Sequence, residues 1–108
     1  MTDKRIVLTT CGSEEEAGKI AQYLVENRLA ACVNILPQMR SVYRWQGKVE
    51  SAPEWLLLVK TIAPNFERVR DAIRTLHSYE VPECVMLSIE DGSSSYLQWI
   101  EDSVERAD

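Results

Sequence analysis

The pattern of apolar and polar positions along the chain predicts its strands and helices. Short β-branched apolar runs between turn residues are typical of strands, and apolar residues three and four apart are typical of helices. The predicted strands are 6–10, a long bent strand from 30 to 46 interrupted at Pro37, then 55–60 and 84–89. The predicted helices run from Ser13 to about Arg28, from Pro64 to His77, and through a short stretch after 93–95.

Signals at the ends of these elements support the assignment. Ser13, followed three residues later by Glu16, fits a capping box at a helix start. Pro82 disfavours helical geometry in the residue before it, so the second helix is expected to end by His77. Gly47 and the segment 50–53 predict a turn before the third strand.

The resulting order, β-α-β-β-α-β with a closing helix, is typical of an α+β ferredoxin-like sandwich. Such a fold has an antiparallel four-stranded sheet with two helices on one face, and here residues 1–108 form a single domain. The third and fourth strands are apolar on both faces, although two helices cover only one. The short closing helix adds Tyr96, Trp99 and Ile100 on one side, so we expect further copies of the chain to cover the remaining surface.

Composition narrows the class of protein. The chain has 108 residues, 45% hydrophobic and 27% charged, which is ordinary for a globular domain. Twelve basic and 17 acidic residues give a net charge of −5, which repels phosphate backbones and argues against a nucleic-acid partner. RNA-recognition domains share this order of elements, but the first and fourth strands here carry no aromatic residue for stacking bases. No apolar stretch approaches the roughly 20 residues that span a membrane, and no leader is visible, so a cytoplasmic location is expected.

Three cysteines, Cys11, Cys32 and Cys84, are widely spaced and form no C-x-x-C pair. A disulfide framework is therefore not expected. Each lies in or beside an apolar block, so the simplest interpretation is a small buried hydrophobic side chain.

His77 is the only histidine, and two carboxylates and a phenol follow it within six residues. Imidazole is a common transition-metal ligand, which makes this segment the best candidate for chemistry. The alternative is a histidine that caps the last carbonyls of its helix or meets solvent. No serine has a histidine and a carboxylate arranged around it for nucleophilic catalysis, and Gly12 alone is not a phosphate loop.

Five blocks together resemble the CutA family of divalent-cation-tolerance proteins and cover nearly the whole chain from about residue 6 to residue 100. They are AACVNI (30–35), SVYRWQGKVE (41–50), LLVKT (57–61), HSYEVPE (77–83) and YLQWI (96–100). The resemblance implies a ferredoxin-like homotrimer similar to PII signalling proteins, with hairpin strands exchanged between neighbours. It also implies binding of divalent metals, copper in particular, a role in metal tolerance or in passing a signal to an unidentified partner protein, no organic cofactor, and no catalytic reaction.

Cys11 and His77 match the positions proposed as copper ligands in this family. Thiolate suits Cu(I), and imidazole suits Cu(II) and Zn(II), and neighbouring subunits could bring the two residues together. The alternative is a half-buried thiol and an exposed imidazole. Ser78 departs from the family, which usually has proline there, and its N–H and freer φ could redirect the imidazole.

A second set of residues, Trp45, Lys60, Tyr79 and Glu80, could line a cleft between subunits. In a PII-like sensor such a cleft would receive a small anion or metabolite, which is the alternative to the metal-binding function. Lys60 closes an apolar strand and needs a partner, which Glu80 could provide. The competing interpretation is a salt bridge with aromatic packing that locks the trimer.

Overall fold

A computed structural model of the protein describes residues 2–107, which fold as the predicted α+β sandwich. The elements are β1 (Lys4–Cys11), α1 (Glu14–Glu26), β2 (Cys32–Trp45), β3 (Lys48–Ile62), a short 3₁₀ turn (Ala63–Asn65), α2 (Phe66–Leu76), β4 (Val85–Ser88) and α3 (Ser94–Ser103). The strands form one antiparallel sheet in the order β2-β3-β1-β4. Both the order of elements and the ferredoxin-like arrangement predicted from the pattern are confirmed.

The long bent strand predicted around Pro37 is confirmed as β2. Its pairing with β3 shifts register between Leu36 and Met39. Gln38, inside that irregularity, has a φ of 25°. An inserted residue bends a strand without ending it, so one continuous strand spans both apolar blocks.

The turn predicted at 50–53 is wrong, because these residues belong to β3. The turn predicted at Gly47 is confirmed, because the hairpin reverses at Gln46 and Gly47, with φ values of 50° and 80°, the positive region that tight hairpin turns require. Pro53 is tolerated in the strand because the pairing of β3 with β1 ends at Trp55. Beyond that point β3 has a neighbour on one side only, where a missing N–H is less costly.

One face of the sheet, here called the helix-covered face, packs against α1 and α2. It presents alternate residues of the central strands, including Val7 and Cys11 of β1 and Leu57 and Val59 of β3, all fully buried. Ile20 of α1 and further apolar residues of α2 complete the cluster. This alternation is why the β-branched runs of the sequence form the core.

The opposite face, here called the open face, is covered only at one end. There Ile100 and Val104 pack with Ile62 at the end of β3. The inward stripe of α3 was predicted as Tyr96, Trp99 and Ile100, but of these three only Ile100 is buried, while Tyr96 and Trp99 remain exposed. Tyr96 lies one helical turn before Ile100 on the same side of α3, and its hydroxyl is 3.9 Å from Cys32 Sγ. Its ring is exposed because no other part of the described chain covers this region of the open face, and the Trp99 ring lies 5.5 Å from it, also exposed.

The side-chain amide of Asn65 is buried and forms hydrogen bonds with the C-terminal segment, a contact that the sequence pattern did not indicate. Asn65 donates to the Glu105 carbonyl over 3.0 Å and accepts from the Ala107 N–H over 2.8 Å.

Cys11 is buried as expected, whereas Cys32 and Cys84 are half-buried, and all three are free thiols. None of the helices within 2–107 is long and apolar enough to cross a membrane.

Candidate metal centre and the neighbouring cleft

Three side chains with metal-binding atoms meet where β1 ends, α1 begins and α2 ends. Cys11 is the last residue of β1, Glu16 lies in the first turn of α1, and His77 is the C-cap of α2. The Ser13 hydroxyl accepts from the Glu16 N–H, which confirms Ser13 as the cap, but the Glu16 carboxylate bonds to Ser78 and does not return to the Ser13 N–H as the predicted capping box requires. Both helices pack on the same sheet face, so their ends bring these side chains together.

The imidazole of His77 is held in a defined orientation. Its Nε2 lies 2.6 Å from the carbonyl oxygen of Thr10. Because a carbonyl only accepts, Nε2 carries the proton and Nδ1 has the free electron pair. That pair accepts the Tyr79 N–H over 3.1 Å. His77 is therefore buried and internally bonded, and does not meet solvent as the alternative interpretation proposed.

Glu16 is fixed by Ser78. Both the backbone N–H and the hydroxyl of Ser78 donate to the two oxygens of the Glu16 carboxylate. This arrangement leaves one carboxylate oxygen 3.9 Å from His77 Nδ1. Proline at 78 would remove both donors, so the departure from the family pattern positions a third residue beside His77.

The thiol of Cys11 is protonated at neutral pH. Burial, reinforced by the charges of Glu16 and Glu54, raises its pKa to about 12. A metal ion that binds the sulfur must therefore displace a proton from it.

Ligand atoms of Cys11, Glu16 and His77 all lie within 4.8 Å of one another, in one chain. The sequence-based suggestion that neighbouring subunits bring Cys11 and His77 together is thus corrected, since the fold of a single chain does so. Thiolate, imidazole and carboxylate are the donors found in zinc and copper sites, and Thr10 supplies the outer hydrogen bond that orients a ligating imidazole. The donor set therefore fits a divalent transition metal.

The second predicted set divides between two places. Trp45, Tyr79 and Glu80 line one cleft of about 720 Å³ at the root of the β2–β3 hairpin. Lys60 is not among its lining residues. Its ammonium instead donates to the Asn34 side chain over 2.5 Å and lies 3.9 Å from Cys32 Sγ. The predicted Lys60–Glu80 partnership is therefore replaced by a cross-strand hydrogen bond to Asn34.

Tyr79 connects the cleft to the metal-ligand cluster. Its hydroxyl donates to Glu54 Oε2 over 2.7 Å, and its ring lies 4.6 Å from the His77 ring centroid. Burial and the hydrogen bond to Glu54 raise the pKa of the phenol, so it remains a donor. A Cβ at Gly12 would lie 3.0 Å from the Tyr79 oxygen, so glycine is what allows this close approach.

Two residues of this region were missed from the sequence. Glu16 was interpreted only as part of a capping box, and Glu54 lay next to a mispredicted turn. The carboxylate of Glu16 bonds with Ser78 across 62 positions of sequence, a contact that no local pattern contains. The capping-box spacing was the available signal, since it predicts that this side chain lies at a helix start.

Fold and site together define a small α+β protein with a thiol, imidazole and carboxylate cluster of the kind that could hold a divalent cation. The profile of the family described as CutA1 divalent ion tolerance protein matches residues 5–103. The chain belongs to the CutA1 divalent ion tolerance family.

Relatives agree with this assignment over most of the chain. The divalent-cation tolerance protein CutA of Thermus thermophilus is 49% identical over 100 residues, covering 93% of this chain and 97% of that protein. Human protein CutA is 44% identical and covers 89% of this chain, which spans only 54% of the human protein.

Solved structures give the same fold. CutA from Xylella fastidiosa superposes with a TM-score of 0.94 at 38% identity, covering 96% of this chain and all of that one. The Thermus thermophilus structure has a TM-score of 0.92 at 48% identity, covering 94% and 99%. A structure described as the periplasmic divalent cation tolerance protein CutA from Archaeoglobus fulgidus has a TM-score of 0.92 at 41% identity, covering 94% and 99%.

Proposed function

We propose that the chain binds a divalent transition-metal ion, copper in particular, through Cys11, Glu16 and His77, and acts in metal tolerance by binding, not by catalysis. The observation that carries this proposal is the convergence of three metal-binding atoms within 4.8 Å. The family name of its relatives supports the same class of function.

In this site His77 would bind through Nδ1, because Nε2 is committed to the Thr10 carbonyl. The hydrogen bond that the Tyr79 N–H donates to Nδ1 would have to break before a metal ion could bind there. Cys11 would supply a thiolate after losing its proton, and Glu16 a carboxylate oxygen. A site that combines a thiolate, an imidazole nitrogen and a carboxylate oxygen suits Cu(II) and Zn(II) better than Mg²⁺ or Ca²⁺, which prefer oxygen ligands alone.

Anaerobic calorimetric titration with Cu(II) and with Zn(II) tests the site. Cys11→Ser and His77→Ala are each expected to weaken binding more than tenfold, roughly the loss that follows damage to a metal's ligand shell. Cys84→Ser is the matched control, because it removes a half-buried thiol that is not part of the cluster. If both ligand variants keep wild-type affinity while remaining folded by circular dichroism, this site is excluded.

We further propose that the chain assembles as a homotrimer through its open face. Exposed apolar side chains support this, among them Leu36 (41%), Val85 (46%) and Leu87 (48%). Sedimentation at micromolar concentration should give three times the mass of one chain, and a single-chain mass would reject the trimer.

A cytoplasmic location, expected from the sequence, is kept as part of the proposal. Fractionation of the source cells with compartment markers tests it. Recovery with periplasmic or other extracytoplasmic markers would reject it.

A further inference from the structure

The cleft at the hairpin root combines negative charge with aromatic surface. Four carboxylates line it, together with three aromatic rings and several small or apolar side chains. The carboxylates are Glu50, Glu54, Glu80 and Glu83, and the rings are those of Tyr43, Trp45 and Tyr79. No lysine, arginine or histidine is among the described residues that line it. A small anion, the ligand considered from sequence, would therefore meet repulsion on all sides.

Glu54 makes this charge more than a solvated surface cluster. The residue is only 7% exposed, and it forms no ion pair with any basic group among residues 2–107. Its recorded side-chain partner is the neutral hydroxyl of Tyr79, which satisfies one oxygen. A buried carboxylate without a cation is costly, and a positively charged ligand in the cleft would offset that cost.

The spacing of the carboxylates argues against a metal ion as this ligand. Among the described residues, the cluster whose ligand atoms converge closely enough for a metal is Cys11, Glu16 and His77, and none of the four cleft glutamates belongs to it. Carboxylates spread around a cleft of about 720 Å³ match several separated charges instead. Exposed aromatic faces add attraction for organic ammonium groups by cation–π contact.

We propose that this cleft binds a small organic cation carrying ammonium or guanidinium groups. Glu54 accepts hydrogen bonds from the buried end of the ligand, Glu80 and Glu50 bind its outer charges, and Trp45 packs against its carbon chain or cationic group. This binding site is separate from the metal function proposed above and does not depend on it.

Calorimetric titration with spermidine tests the proposal, using the assembled wild-type protein after chelator treatment. Saturable binding with one site per chain is expected. An uncharged diol of similar length, 1,8-octanediol, and Mg²⁺ at matched ionic strength should give no saturable heat. The assembled protein is used because Thr10 and Leu56, which line the cleft, lie on the sheet face through which other copies are proposed to contact the chain.

Variants identify the site. Glu54→Gln, which keeps an acceptor for Tyr79, should weaken spermidine binding about tenfold, as expected for loss of a charge-assisted hydrogen bond. Glu80→Gln, which changes an exposed side chain outside the core, should weaken it about threefold, and Trp45→Leu about twofold to fivefold. Glu67→Gln, which removes an exposed charge on α2 away from the cleft, should change affinity by less than about 1.5-fold.

Three results would overturn the proposal. One is the absence of saturable spermidine binding by the assembled protein, as when a basic side chain of another copy already fills the cleft. Another is equal binding of Mg²⁺, which would show nonspecific counterion attraction. The third is an equal loss of affinity in Glu67→Gln and Glu80→Gln, which would show that overall charge, not the cleft, sets the affinity.

Discussion

The two faces of the sheet differ in how far the chain itself buries their apolar side chains. On the helix-covered face, Leu57 and Val59 of β3 are fully buried by helices of the same chain. On the open face, Leu58 is only half-buried, and Val85 and Leu87 of β4 are nearly half exposed. Adjacent residues of one strand thus have different environments, so the chain builds one core by itself and leaves a second apolar surface for another molecule.

The sharpest test of this contrast replaces neighbouring leucines of β3. Leu57→Ala should lower the free energy of unfolding by about 2–5 kcal/mol at every protein concentration, because it opens a cavity in a core that one chain completes. Leu58→Ala should cost about 1 kcal/mol in dilute solution and more as concentration rises, because further copies would bury that side chain. Urea unfolding at two concentrations measures both. Equal and concentration-independent losses would contradict the contrast.

Alkaline pH tests burial on the helix-covered face. The pKa of Cys11 is raised to about 12 from the ordinary 9.0, so the folded state favours the protonated thiol. The resulting stability is complete below pH 9 and is lost as pH rises towards 12, by about 1.4 kcal/mol per pH unit. Urea unfolding from pH 8 to 11 should show this slope added to the contributions of Cys84 and Tyr79, whose pKa values are also raised, and Cys11→Ser should remove only the part due to Cys11. Cys32→Ser, a control on the open face, retains Cys11 and should retain the slope.

Association should depend on the open face alone. Leu87→Asp places a charge on an exposed apolar position of β4, where another copy would have to desolvate it. Sedimentation should show a loss of assembly towards a single-chain mass, while the far-ultraviolet circular dichroism stays unchanged. Glu67→Gln on the helical side should assemble as wild type. An unaltered mass for Leu87→Asp would place the contact elsewhere.

The smallest expected effect concerns the charged network at the covered end of the open face. Lys4 bonds to Asp3 and Glu101, and Arg106 bonds to the same two carboxylates. Hydrogen bonds from Lys4 and Arg106 lower the pKa of Asp3, and those from Arg106 and Lys4 lower that of Glu101. Carboxylates with lowered pKa stabilise the fold above their ordinary values of 3.8 and 4.5, and that stability is lost as pH falls through the lowered ones.

Glu101→Gln should therefore flatten the decline of stability below about pH 4.5 only slightly, because these groups are partly solvated. Acid titration of the thermal midpoint measures it. A decline as steep as that of the wild type would show that Glu101 contributes nothing to it, since Asp3 keeps its bonds to Lys4 and Arg106 in this variant.

The sequence by itself determined the order of the elements, the helix cap at Ser13, the end of α2 at His77 and the family, because these depend on local periodicity and short blocks. It also predicted an apolar surface that two helices cannot cover. The length of the hairpin was not predictable, since Pro53 is tolerated only where β3 extends past β1, a matter of pairing between distant strands.

Only the tertiary structure decided which polar groups meet. It brought Glu16 and Ser78 together beside His77, bonded Lys60 to Asn34 instead of Glu80, and buried Glu54 under the Tyr79 hydroxyl. Each of these contacts joins residues at least 25 positions apart, where neither periodicity nor spacing along the chain fixes a distance. The chemistry of both candidate sites arises from such contacts.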